Sequence, residues 1–396
     1  LTNEERHINR YKRRKAKRDS KKLKFYKSLP SYEEIFSFKN LYDAFNKCKR
    51  NVMWKRSVQI YKIDLPYNLS MLREKLLSGK WKTKGFIEFD INERGKTRHI
   101  QSVNIEERII QRCLCDNFLI PLLSHNIIKD NSATLKNKGI HFAINRLKHH
   151  LEDFYRIHNT NEGYVLLFDF SDYYNSIDHK LLYEKLDKMI LDERTKKLVH
   201  NLIDVFGDYG LGLGSQVSQI LAVTFPNIID HTFKDKYKVK GYGRYMDDGY
   251  LIFKDLKKVK KSKRLLYAYA KKLNLKLNEK KFKICKISKS FTYLKKRFFL
   301  DKNGEVVIRL SRKNITLNRR KFKRMSNLLD EKKIEFKHVR IAYNSFCGFS
   351  KHYNTYKTLN SMNELYDNLF ITPFVGYDVN RYDEKYLMPY LKLPHP

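Results

Sequence analysis

The chain has 396 residues, 42% of them hydrophobic and 14% aromatic, so it carries enough core-forming side chains to exclude a wholly disordered protein. Its 82 Lys and Arg against 43 Asp and Glu leave a formal charge of +39, far beyond what solubility requires, and point to a polyanionic partner. Charged residues interrupt every apolar run well short of the ~20 residues that span a bilayer, and the polar, basic opening residues lack a signal-peptide pattern; the expectation is a cytoplasmic protein with no membrane partner.

Residues 1–24 hold eleven Lys or Arg and three acids, with hardly an apolar side chain before Leu23. This basic arm reads either as a solvated helix face or as a nucleic-acid contact. Between residues 32 and 77 apolar residues recur at helical spacing, as in Leu41, Ala44, Phe45 and Cys48, which predicts small helices. The pattern then alternates over Phe86-Ile87-Glu88-Phe89-Asp90-Ile91, and Glu93-Arg94-Gly95-Lys96 forms a turn before Arg98-His99-Ile100, which predicts a β-hairpin with a basic tip.

Asn104 and Glu107 make a capping pair for a helix with Ile105, Ile109, Ile110, Cys113, Leu114 and Phe118 on its apolar face, ending near Pro121. The five cysteines lack paired zinc spacing, so Cys113 and Cys115 read as part of that helix rather than as metal ligands. A second helix over about 141–154 precedes the apolar strand Tyr164-Val165-Leu166-Leu167-Phe168, with Asp169 at its exit.

The helical pattern returns over 181–206, is broken by Gly210, Gly212 and Gly214, and resumes near Ser218. Residues 243–253 read as two short strands joined at Asp247-Asp248, and a basic helix covers 256–273. The last hundred residues, rich in Lys and Tyr, read as mostly helical.

An Asp-Asp pair in a turn is ordinary, because short acids favour turns through local hydrogen bonds. Here a third acid, Asp169, ends a separate strand upstream. Two-metal phosphoryl transfer needs carboxylates clustered around two Mg²⁺ ions roughly 3.5–4 Å apart, and strand ends in one sheet can supply them.

The segment from Phe168 to His179, Phe-Asp-Phe-Ser-Asp-Tyr-Tyr-Asn-Ser-Ile-Asp-His, resembles the first catalytic motif of reverse transcriptases, and Tyr245-Met246-Asp247-Asp248 resembles their signature tetrapeptide. Between them, the stretch from Gly210 to Gln219 resembles the glycine-rich turn and helix start beside template and incoming nucleotide. Residues 93–98 followed by Glu107-Arg108-Ile109-Ile110-Gln111 look like the fingers of bacterial enzymes related to group II introns, and the resemblance covers roughly residues 85–300. Gly212 stands where Pro is usual, and Ser218-Gln219 is closer to diversity-generating and phage-defence enzymes than to most intron enzymes. Phe291-Thr292-Tyr293-Leu294 resembles the primer-grip motif, with Lys295 in place of the usual Gly.

The resemblance implies an α+β right-hand fold: a basic arm over 1–24, fingers over 25–161, a palm of antiparallel sheet over 162–300, and a helical thumb over 301–396. It implies metal binding by Asp169, Asp247 and Asp248 with the Phe170 backbone carbonyl, holding two Mg²⁺ ions or Mn²⁺ in their place. Lys281, in Leu275-Lys276-Leu277-Asn278-Glu279-Lys280-Lys281, becomes the general acid for the leaving pyrophosphate, although Lys280 stands beside it. Lys96, Arg98, Tyr174, Gly214 and Gln219 become nucleotide contacts, with Tyr174 the steric gate against a ribose 2′-hydroxyl.

The implied partners are an RNA template or cognate noncoding RNA, a DNA primer and product, and deoxynucleoside triphosphates. The implied setting is a retroelement or antiviral defence system. Two other readings stay open: untemplated or protein-primed DNA synthesis, and a non-catalytic RNA-binding maturase.

Overall fold

A computed structural model describes residues 2–93 and 96–371, apart from the Glu93 and Lys96 side chains. The described residues divide into two compact units, 2–150 with 166–284, and 151–165 with 285–371. Among the described residues no helix is long and apolar enough to cross a membrane.

The first unit opens with the helix Asn3–Lys27, capped by Thr2 and without a single buried residue. Short helices follow, including Phe38–Cys48, whose predicted stripe of Leu41, Ala44 and Phe45 is buried. The expected hairpin forms from β1 (Ile87–Glu93) and β2 (Lys96–Ser102), paired antiparallel from Ile87 opposite Ser102 to Glu93 opposite Lys96.

The helix Ile105–Leu114 starts at Asn104, whose side chain accepts from the Glu107 N–H at 2.9 Å. The reciprocal half of that capping pair is diverted. Glu107 is buried, and its carboxylate accepts from the Thr83 hydroxyl at 2.8 Å and from the Gln111 amide at 3.2 Å. Pro121 does not end the helix either: a π-turn over Cys115–Leu119 resets the register, so Pro121 falls in the first turn of Ile120–Ser124, where its missing N–H costs little. Asn117 donates its side-chain amide to the Cys113 carbonyl at 2.9 Å, occupying an acceptor in the reset region.

A four-stranded sheet has the order β4-β5-β3-β6, with β3 Tyr164–Phe168, β4 Tyr242–Tyr245, β5 Asp248–Phe253 and β6 Lys283–Lys286. β4 and β5 form an antiparallel hairpin in which Tyr245 faces Asp248, so the turn is Met246-Asp247 and Asp248 already belongs to β5. Gly249 shows why β5 fits beside β3: a Cβ there would lie 2.2 Å from Phe168 Cζ, so the phenylalanine ring fills the space of the absent side chain. Around the sheet pack Gln216–Thr224, Asn227–His231 and the basic helix Leu256–Lys272.

The second unit differs from the mostly helical expectation for residues beyond 300 at one strand, Val306–Leu310. It contains the antiparallel sheet β7 (Phe291–Tyr293), β8 (Lys296–Leu300) and β9 (Val306–Leu310) before its helices begin. The alternating burial of β8 and β9 is the two-residue period of a sheet with one covered face, and the Lys-rich composition of the region around β9 pointed to helix instead. Helices Arg312–Asp330, Phe336–Ser350 and Tyr356–Phe370 then enclose a core of Phe322, Val339, Phe346, Met362, Tyr366 and Phe370.

Candidate active site

Three carboxylates converge in the first unit. Asp169, Asp247 and Asp248 each offer an oxygen such that the three lie within 4.8 Å of one another. Asp169 is only 2% exposed, and the other two are partly buried.

Asp169 is held from the segment after the basic helix. The Asn278 N–H donates to the Asp169 carbonyl at 2.8 Å, and its side-chain amide donates to Oδ1 at 3.2 Å. The Lys281 ammonium donates to Oδ2. Phe170 pairs with Leu277 across this connection, flanked by the Asn278 bond and by Ser171 N–H to the Lys276 carbonyl at 2.8 Å. Neither flanking bond uses the Phe170 carbonyl, which an antiparallel pair of this kind turns away from its partner.

Asp247 and Asp248 depend on the turn. Met246 adopts φ 55, a left-handed conformation costing a non-glycine residue about 1–2 kcal/mol. Strain at this place puts consecutive carboxylates at the hairpin end instead of on opposite faces of one strand.

The electrostatics follow from crowding. Burial, with the charges of Asp247 and Asp169, pushes the Asp248 carboxyl up to about 7. Asp247 is raised by burial and by Asp169. Burial works to lower the Lys281 pKa, but the bond to Asp169 and the charges of Asp248 and Asp169 outweigh it and the net shift is upward. Three acidic groups that repel one another, all hard oxygen donors and only partly compensated by the Lys281 ammonium and, at Asp247, by Arg244, fit a divalent cation of the Mg²⁺ or Mn²⁺ type.

Among the other expected contacts, Tyr174 joins the trio's surroundings. It lies in the short turn Tyr174–Ser176, and burial together with Asp247 pushes its hydroxyl up to about 12. Its backbone carbonyl accepts from the Leu211 N–H at 2.8 Å, which ties it to the glycine-rich loop. That loop in turn reaches the β1–β2 hairpin: the Gln101 N–H donates to the Leu213 carbonyl at 3.3 Å, and a Cβ on Gly214, at φ 115, would stand 3.2 Å from the Gln101 carbonyl.

Gly214 and Gln219 are exposed, and Gln219 follows the cap Ser215, three residues earlier than the start read near Ser218. Arg98 sits on the exposed face of β2, while the Lys96 side chain and the Arg94-Gly95 tip lie outside the described residues.

Sequence reading missed two groups. Asn278 was part of a quoted motif without a role of its own. Arg244 and Asp230 form a buried ion pair behind the turn at 2.6 Å; the available signal was a charged residue inside the apolar strand Tyr242–Tyr245.

A sheet whose hairpin carries two acids beside a strand end carrying a third, with a fingers-like hairpin and surrounding helices, is the polymerase-like fingers, palm and thumb architecture. The chain belongs to the reverse transcriptase (RNA-dependent DNA polymerase) family, whose model matches residues 81–295. Comparison with curated protein sequences gives no match.

Among solved structures the chain is similar to apo telomerase from Candida tropicalis truncated from the C-terminal domain, at 14% identity and TM-score 0.44, covering 56% of this chain and 54% of that one. It is also similar to apo telomerase from Candida tropicalis, at 14% and 0.45, covering 60% and 52%. A third is telomerase from Candida albicans in complex with a TWJ fragment of telomeric RNA, at 9% and 0.45, covering 80% and 65%. The chain thus spans between 52% and 65% of the length of these telomerase chains.

Proposed function

We propose that the protein is an RNA-directed DNA polymerase that extends a primer 3′-end by two-metal nucleotidyl transfer. The observation that carries this reading is the convergence of Asp169, Asp247 and Asp248 within a chain of the reverse transcriptase family. Asp169, Asp247 and Asp248, with the Phe170 carbonyl, would hold the metal ions. Bound Mg²⁺ supplies activation of the primer hydroxyl and neutralisation of the leaving pyrophosphate.

The remaining roles belong to side chains. Lys281, already protonated against Asp169, donates a proton to the departing pyrophosphate. Tyr174 excludes a ribose 2′-hydroxyl beside Asp247, and Lys96 and Arg98 neutralise the triphosphate. Gly214 and Gln219 line the nucleotide side. The partition into a basic arm (1–24), fingers (25–161), palm (162–300) and thumb (301–396) belongs to the same reading.

The template is a cognate noncoding RNA in a bacterial or phage retroelement or defence system. Ser218-Gln219 in the glycine-rich motif supports that subtype, and the exposed helix Asn3–Lys27, with its run of Lys and Arg, supports an RNA partner.

One assay tests the proposal: purified full chain with Mg²⁺ and labelled deoxynucleotides, with and without an RNA template annealed to a DNA primer. Template-dependent product that disappears in Asp247→Ala is expected. Product attached to the protein without template would replace the reading with protein-primed synthesis, and tight RNA binding without any product would replace it with a maturase role.

A further inference from the structure

Arg244 has no exposed surface, and neither has Asp230 on the helix Asn227–His231. The Arg244 guanidinium donates from Nε to Asp230 Oδ1 at 2.8 Å and from Nη2 to Asp230 Oδ2 at 2.6 Å. Nη2 also reaches the Val223 carbonyl at 2.8 Å, and Nη1 donates to the Met246 carbonyl at 2.7 Å. Asp230 accepts in addition from the Tyr242 hydroxyl at 2.5 Å and the Asn131 amide at 3.5 Å. The Arg244 backbone is pinned as well, donating to the Asp130 carbonyl at 3.1 Å and accepting from the Ser132 N–H at 2.9 Å.

Stability alone does not account for this pair. Desolvating two charges roughly cancels their attraction, and apolar residues of similar volume often serve as well. An apolar residue could not, however, donate to the Met246 carbonyl. That carbonyl belongs to the residue at φ 55 immediately before Asp247. A planar, forked guanidinium is also the side chain able to bind a carboxylate with one edge and a backbone carbonyl with the remaining nitrogen.

We propose that Arg244 and Asp230 are a positioning pair that locks the left-handed Met246 turn and thereby sets the Asp247 and Asp248 carboxylates against Asp169. The chain of contact runs from the helix Asn227–His231 through Asp230 and Arg244 to Met246, so the aim of the acids is set from behind the sheet. The proposal rests on the reading of the three acids as the metal-holding group.

The test uses two variants of the full chain. Arg244→Met combined with Asp230→Leu removes both buried charges together and is expected to fold; Arg244→Lys keeps the charge but not the fork. Thermal denaturation is measured with and without Mn²⁺ in the absence of nucleic acid, and primer extension is measured alongside.

Both variants are expected to need roughly tenfold or more Mn²⁺ for half of the thermal shift. Turnover should fall about 10²-fold while the KM for primer–template stays the same. A folded variant of either kind with wild-type Mn²⁺ response and turnover would overturn the proposal. Asp247→Ala separates the two ideas: if it leaves the Mn²⁺ shift intact, the metal reading itself is wrong.

Discussion

The Lys281 ammonium donates a hydrogen bond to Asp169 Oδ2 across 112 positions of sequence, and the neighbouring Lys280 forms no such bond among the described contacts. This contact places Lys281, and not the adjacent Lys280, against an acid of the trio. Lys281→Ala is expected to lower single-turnover primer extension by about 10²–10³-fold, in the range of a lost general acid, whereas Lys280→Ala stays within about twofold. Equal losses in the two variants would remove Lys281 from its assigned role.

Crowding of the carboxylates has a measurable signature in stability. The folded-state pKa of Asp248, about 7, exceeds its ordinary value of 3.8. The folded protein therefore holds the proton longer than the unfolded chain does. The favourable contribution is complete below pH 4 and is lost as pH rises through 7. Asp248→Asn should then be more stable than the wild type at pH 8 without metal, by roughly 2 kcal/mol, with the gap closing toward pH 4. Thermal melts across that range check this, and added Mg²⁺ should raise the wild-type melting temperature at pH 8 more than that of the variant.

Tyr174 packs edge-on against Tyr173, with ring centres 5.9 Å apart and planes at 80°. Tyr173 is anchored in turn by its hydroxyl to the Ala222 carbonyl. This edge-on contact limits the room the Tyr174 ring has to move toward Tyr173. Tyr174→Ala is expected to raise ribonucleotide incorporation relative to deoxynucleotide by roughly tenfold or more, while Tyr174→Phe keeps the wild-type preference. Competition assays with paired nucleotides measure the ratio, and an unchanged ratio in the alanine variant would remove the gate from Tyr174.

The hairpin between β7 and β8 closes through Leu294 and Lys295, at φ 44 and 64, with Tyr293 facing Lys296. Two positive φ angles are what a two-residue hairpin turn of matching twist demands, a place that favours Gly and here holds Leu294 and Lys295. The β7–β8 hairpin therefore closes without a glycine. Lys295→Gly should stabilise the protein by about 0.5–1 kcal/mol by relieving the strained position. A denaturant midpoint that stays level or falls would show that the contacts of the Lys295 side chain outweigh the strain.

Much of the site was legible because its acids lie where local patterns end. Asp169 follows an unbroken apolar strand, and the Asp247-Asp248 pair interrupts two others, so their order along the chain was visible without coordinates. The misplacements have separate causes. The Glu107 side chain abandoned its expected cap because a buried partner at Thr83 competed for it. Pro121 stayed within a helical run because a π-turn absorbed its missing donor. β9 emerged where the Lys-rich composition of the surrounding residues suggested helix, because its own Val-Val-Ile run favours a strand and one of its faces is buried.

By itself, the sequence determined the polyanion-seeking charge, the two acidic motifs and the glycine-rich segment between them, since charge and short periodic patterns are local properties. The tertiary structure alone decided that Lys281 meets Asp169, that Asn278 holds the same carboxylate, and that Arg244 reaches Asp230 and Met246. Those pairings join segments as much as 112 residues apart, and no local pattern encodes them. They exist because buried polar groups must find partners wherever folding of the chain brings them.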